Sequence, residues 1–351
     1  MILEKGSIYC RENNLNFIRV AAATSVTFGH SFAMTHGSPY EFIPGINSAG
    51  FGFYAVAIFF GLSGFLITQS YFRNSNWIIY LKARLLRLVP GYLFANFVTA
   101  LLIIFLVKSD WTLMFSKEFF IHIAGGTFKE RYSFPDIFSN LHYNSTNGSM
   151  WTLTYEFRMY VLVLILGLLG ILRRKFVFLG LFTFLFIVAG LQIESLFQFL
   201  FNTLFKIKWH DATYLALPLS FGLGVLGFLF KDKMRLFFLP SVLILVGSLL
   251  TDIWLLKCVS WIYFIFCFAY IPKLYIKKLN FKNDISYGVY ILSWPIQQCV
   301  LHLKLTDNPF ELFAVSMAFI IPLSFISWKL VEEPCLKLKN YDFFFRLAKK
   351  K

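Results

Sequence analysis

Apolar residues come in long blocks along this chain, and short polar stretches rich in Lys and Arg separate them. Blocks near the ~20 residues that a helix needs to cross a bilayer recur from end to end. They predict ten membrane helices, at 17–35, 51–71, 89–107, 150–171, 176–194, 213–230, 238–256, 258–273, 286–303 and 311–330. Two further apolar runs, 117–126 and 195–205, are too short to span and are expected to be re-entrant or interfacial. The longest polar segment, 128–149, follows the third span. No internal repeat or low-complexity linker interrupts the pattern.

The charges orient this array. With the N-terminus inside, the connection 72–88 places Arg73, Lys82, Arg84 and Arg87 on the inner side. Arg173, Arg174 and Lys175 follow there, then Lys231, Lys233 and Arg235, then Lys273, Lys277, Lys278 and Lys282. The opposite connections are poorer: 36–50 has no Lys or Arg and 304–310 has one. The positive-inside rule then predicts both termini in the cytoplasm. An added or missing helix pair would leave that orientation unchanged.

Composition agrees. Of 351 residues 58% are hydrophobic and only 15% charged, against roughly 25% in soluble domains. The expected class is an all-α, polytopic integral membrane protein. Its parts are a cytoplasmic segment 1–16, a transmembrane domain 17–334 and a basic cytoplasmic tail 335–351. The net charge of +15 is scattered between apolar blocks, which argues for membrane lipids and against nucleic acid as the partner. Five cysteines form no CxxC pair and read as free thiols. No cleavable signal stands out, so the first span is expected to be retained.

Candidate chemistry begins in that span. Arg19 and His30 lie eleven residues apart on one apolar helix, where each charge costs about 2.5–3.5 kcal/mol on insertion scales. Eleven residues turn the helix by three turns plus roughly 20°, so the two share a face about 16.5 Å apart in rise. Ala22, Ala23 and Val26 lie between them. The pattern describes a narrow slot with a cation at its inner mouth and an acid–base group within. It equally describes a snorkelling Arg and a packing face of small residues.

Other stretches carry similar pairs of readings. Lys82, Arg84 and Arg87 form a cluster whose guanidiniums can fork onto phosphate, or simply set topology. Ser63 sits between Gly61 and Gly64, where small residues allow close helix approach or a local break. Glu156 opens the fourth span, where an acid favours the helix dipole. Glu332 and Glu333 close the last span in basic surroundings and need cationic partners, for which the arginines after the second span are candidates. No P-loop, HExxH, GxSxG or Cys/His metal spacing is present, so no metal site is expected.

Six stretches together, in order from residue 17 to 334, resemble the acyltransferase-3 membrane family, which includes O-antigen and exopolysaccharide O-acetyltransferases. They are the Arg-x10-His helix, "FFGLSGFLI", "ARLLRLVP", "MWTLTYEFRMY", "ISYGVYILSWPI" and "WKLVEEP". Two positions depart from the family's pattern. Ser293 stands where a His is usual, and Ala57 where an Asp is common. A soluble hydrolase-like domain that some members carry is not seen here.

The resemblance implies acyl transfer from a cytoplasmic thioester, acetyl-CoA above all, to a sugar hydroxyl across a bacterial inner membrane. Acetyl-CoA is then a donor substrate, with no permanently bound cofactor. Arg19, Arg84 and Arg87 would hold its phosphate end and Ser63 would lie along its path. His30 would act as general base, its ordinary pKa of ~6.5 suiting that work, or pass the acyl group through an acetyl-imidazole. Glu156 would orient or balance charge, and Glu332 would hold the cytoplasmic arginines. The alternative from composition alone is a secondary transporter of a sugar or lipid.

Overall fold

A computed structural model describes residues 13–37, 50–74, 76–125, 137–191, 213–251, 253–279 and 283–340. Regular structure among them is helical throughout, and the protein is an all-α polytopic membrane protein. Its main helices are α1 (Leu15–His36), α2 (Gly50–Arg73), α3 (Trp77–Leu102), α4 (Lys117–Gly125), α5 (Trp151–Leu168) and α6 (Lys175–Gly190). They continue with α7 (Thr213–Leu229), α8 (Phe238–Leu249), α9 (Trp254–Tyr270), α10 (Ser286–His302), α11 (Pro309–Ser327) and the short α12 (Glu333–Lys337). Four helical segments are long and apolar enough to cross a bilayer: Gly52–Arg73, Trp77–Lys108, Trp151–Leu168 and Pro309–Lys337. Shorter apolar helices accompany them.

Hydropathy located these helices but misjudged some ends. The third begins at Trp77 rather than 89, so Arg84 and Arg87 stand on α3 and not on a connection. Its start is set by Asn76, whose side chain accepts from the Ile78 and Ile79 amides at 3.0 and 3.4 Å. The break between α8 and α9 falls before Trp254, which leaves Lys257 inside a helix. The run at 117–126 is the helix α4. The run at 195–205 lies outside the described residues, as does 128–136 of the long polar segment.

Two compact units divide the chain. The first takes Met1–Ala22, Glu41–Arg73 and Tyr155–Phe281; the second takes Ala23–Tyr40, Asn74–Thr154 and Lys282–Lys351. In the first, α2 and α7 meet backbone to backbone. A Cβ on Gly64 would lie 2.0 Å from the Phe221 carbonyl oxygen, and one on Gly224 equally close to that of Gly61. Of the two readings of the Gly61–Ser63–Gly64 stretch, close helix approach is the one observed.

In the second unit α10 is buried along nearly its whole length. Pro295 lies within it and has no amide hydrogen, so the Ile291 carbonyl one turn earlier loses its helical donor. The Asn147 side-chain amide supplies the missing bond at 2.8 Å. A buried carbonyl left bare would cost about 1–3 kcal/mol. The segment before α5 is thereby tied to the middle of α10.

Candidate active site

His30 belongs to the second unit and stands two turns from the end of α1. Its ring meets the Trp294 indole edge to face, with centroids 4.9 Å apart. Its Nδ1 is buried and has no hydrogen-bond partner. That nitrogen is therefore not spent on the protein's own hydrogen bonding.

Trp294 is held from several sides. Its Nε1–H donates to the Ser145 carbonyl at 3.1 Å. The Tyr143 ring packs against it at 5.4 Å in an edge arrangement. Gly148 lies under the indole, where an added Cβ would come within 2.6 Å of ring carbons. Gln298 donates to the Tyr143 carbonyl at 2.6 Å, and the Thr152 and Tyr290 hydroxyls meet at 2.5 Å. Residues 143–152 therefore brace one face of α10, and α10 presents Trp294 to His30.

Gln297, one turn beyond Ser293, donates its amide to the Thr27 carbonyl of α1 at 2.9 Å. Its Oε1 is buried without a partner. Ser293 itself is fully buried and its hydroxyl turns back to the Tyr290 carbonyl at 2.9 Å. Where the family resemblance leads one to look for a second His, the side chain is thus spent on its own helix. Trp294, Gln297 and Gly148 were missed in the sequence. The one available signal was the interrupted helix around Pro295.

Arg87 is placed very differently. Its guanidinium pairs with Asp284 at 2.7 Å and with Glu332 at 3.6 Å, and lies over the Tyr287 and Trp328 rings at 5.9 and 5.8 Å. Glu332 is 1% exposed and also accepts from the Ser327 hydroxyl at 2.9 Å. A π-helical turn, Trp328–Glu332, follows α11, and the wider coil turns Glu332 inward. Glu333 remains outside, paired with Lys329 and Lys337. The acids that needed cationic partners thus find them separately. Arg84, one turn before Arg87, lies over the Tyr80 ring at 5.9 Å.

Ser63, Glu156, Arg158 and Arg19 belong to the first unit. Ser63 donates to Glu156 Oε1 at 3.2 Å, and the Tyr160 hydroxyl, one turn on in α5, donates to the same oxygen. Arg158 lies over the Tyr155 ring at 5.8 Å. Arg19 is half-buried on α1, and Ala22, Ala23 and Val26 beyond it are buried. Among the described residues no three His, Cys, Asp or Glu side chains gather as metal ligands. Cys258, Cys267, Cys299 and Cys335 are free thiols.

His30, packed on Trp294 with its Nδ1 unpartnered, lies on an apolar helix of an integral membrane protein, a setting in which an ionisable side chain is a candidate for acid–base chemistry. Comparison with known proteins identifies the class. A family model described as "Acyltransferase domain" matches residues 12–329, and the chain belongs to this acyltransferase-3 family. It is similar to the "O-acetyl transferase" of Shigella phage Sf6, 28% identical over 347 residues, covering 92% of this chain and 96% of the relative. It is also similar to "Nodulation protein 10" of Rhizobium leguminosarum bv. viciae, 25% identical over 358 residues, covering 93% and 94%. No solved structure matches the chain. The protein is an O-acyltransferase enzyme of the membrane, and the transporter alternative gives way.

Proposed function

We propose that this enzyme moves an acetyl group from cytoplasmic acetyl-CoA to a hydroxyl of a cell-surface or lipid-linked saccharide, with His30 as general base. The observation that carries the reading is the His30 Nδ1 atom, buried in a family acyltransferase without any protein partner. A base must leave its lone pair to the substrate, and no described side chain or backbone group hydrogen-bonds to that nitrogen. Acetyl is favoured over other acyl groups by the relative named as an O-acetyl transferase.

His30 takes the proton of the acceptor hydroxyl as its oxygen attacks the thioester carbonyl. The C–O bond forms, the C–S bond breaks, and coenzyme A leaves as the thiol when the proton is returned to sulfur. Arg84 and, on α1, Arg19 are the candidates for charge-assisted bonds to the donor's phosphates. Arg87, shared between two carboxylates, serves better as a strut beside Arg84 than as a phosphate ligand. Glu156 is the acid available for charge balance, and Ser63 acts through it. The domain reading stays with a transmembrane catalytic body over 17–334, placed in the bacterial inner membrane with both termini cytoplasmic.

Sealed, oriented vesicles test this. Acetyl-CoA should support transfer only from the face bearing Arg84, and the saccharide only from the opposite face. Transfer with both substrates on the Arg84 face alone would show that the enzyme modifies a cytoplasmic precursor.

A further inference from the structure

A cavity of about 740 Å³ opens in the second unit beyond the end of α1. That volume lies within the roughly 300–1,000 Å³ of small-molecule sites. Met34 and Thr35 border it, and Met34 is one helical turn past His30. Met34 also packs with Trp294, Val300 and Leu312, so one buried layer separates the cavity from the ring that touches His30.

The lining has a definite chemistry. Asn140, His142, Lys304 and Asp307 border the cavity, and their side chains make no hydrogen bond or ion pair with the described residues. Glu311 joins them, accepting from Thr306 Oγ1 at 2.6 Å, which leaves its other oxygen available. One ammonium thus faces two carboxylates. Such a balance repels a polyphosphate, so coenzyme A does not belong here. A lipid tail would find polar walls. Amide, imidazole, ammonium and carboxylate groups over apolar patches at Leu141, Leu301 and Leu305 instead match a molecule with hydroxyl edges and C–H faces.

We infer that this cavity is the binding site for an uncharged saccharide segment of the acceptor, with Asp307 and Glu311 accepting from its hydroxyls and Asn140 and Lys304 donating to its oxygens. The inference rests on the reading of the enzyme as one that acylates a saccharide. It adds the residues that select the acceptor and places them one buried layer, at Met34 and Trp294, from His30.

The test uses the full-length enzyme in sealed vesicles, with Cys10 and Cys335 changed to Ser and Asn140→Cys introduced at the rim. The probe is total cell-envelope glycan extracted from the same bacterium after deletion of this gene, with acetyl-CoA as control. Glycan should slow maleimide labelling of the new thiol several-fold and acetyl-CoA should not. The labelled enzyme should bind acetyl-CoA normally and fail to acylate glycan. In the otherwise native enzyme, Asp307→Asn should raise the KM for glycan about tenfold, the loss of one hydrogen bond to a charged group, with kcat unchanged. Labelling that glycan does not slow, or protection by acetyl-CoA alone, would overturn the assignment. Absence of any acyl transfer by the native enzyme, with Asn140 intact, would instead count against the catalytic reading, while glycan protection would still decide the binding site.

Discussion

His30 and Arg87 are both ionisable side chains held inside the second unit, yet their surroundings are opposites. Arg87 meets two carboxylates and two aromatic rings. His30 meets an indole edge, and its Nδ1 meets nothing. A charge shared between two carboxylates is structural: removing it leaves those acids without their cation, which is costly. A ring packed on an indole, its Nδ1 unpartnered, has no such network holding it. The contrast separates a residue that ties helices together from the residue proposed as the base. The two draw attention in the sequence for different reasons, one as part of a basic cluster and the other as an ionisable group within an apolar helix.

This contrast can be broken in three places, each by a substitution with its own measurement. Replacing the Arg87 guanidinium by Arg87→Ala leaves Asp284 and Glu332 without their cation. The expected loss of folding stability is about 3–5 kcal/mol, read from thermal or denaturant unfolding in detergent. Arg87→Ala combined with Glu332→Gln should cost less than the sum of the two, because they share one interaction. A variant of native stability would mean that the ion pairs are surface decoration.

His30→Ala should slow acyl transfer by about 100- to 10,000-fold, the usual contribution of a general base, while the unfolding midpoint stays near that of the native enzyme. If His30→Ala unfolds as Arg87→Ala does, the ring is a packing element and the comparison fails. Native turnover in well-folded His30→Ala would remove it from the chemistry altogether.

The smallest effect probes the bracing. Gly148→Ala puts a Cβ within 2.6 Å of the Trp294 ring, which must shift and take its contact with His30 with it. A displacement near 1 Å costs up to ~100-fold in rate. The loss should fall on kcat, with the KM for acetyl-CoA unchanged. A change in donor KM alone would place Trp294 in the donor path instead.

Helix positions were largely legible because apolar block length is a local property of the chain. The start of α3 was not. Hydropathy records where the bilayer begins, whereas Asn76 decides where helical hydrogen bonding begins, and the two differ by several turns. Within the first unit, the link from Glu156 to Tyr160 was readable in principle, since residues four apart share a helix face. The bond from Ser63 to Glu156 joins α2 to α5 and had no local signal. Attention to the missing His at position 293 also passed over Trp294 beside it. Which of two adjacent residues faces α1 depends on the rotation of α10, and packing sets that rotation.

By itself the sequence determined the class of protein, the helical architecture and the family, because composition, block length and motif order need no knowledge of contacts. It also determined that Arg19 and His30 share a face, which follows from helix pitch alone. Only the tertiary structure decided how each ionisable group is used. Arg87 and Glu332 are paired through a π-helical turn, and Asn147 repairs the carbonyl that Pro295 leaves bare. Likewise His30 keeps an open nitrogen beside Trp294. These outcomes depend on residues far apart in the chain arriving within hydrogen-bond range. Reactivity in a membrane is set by which polar groups find such partners and which do not.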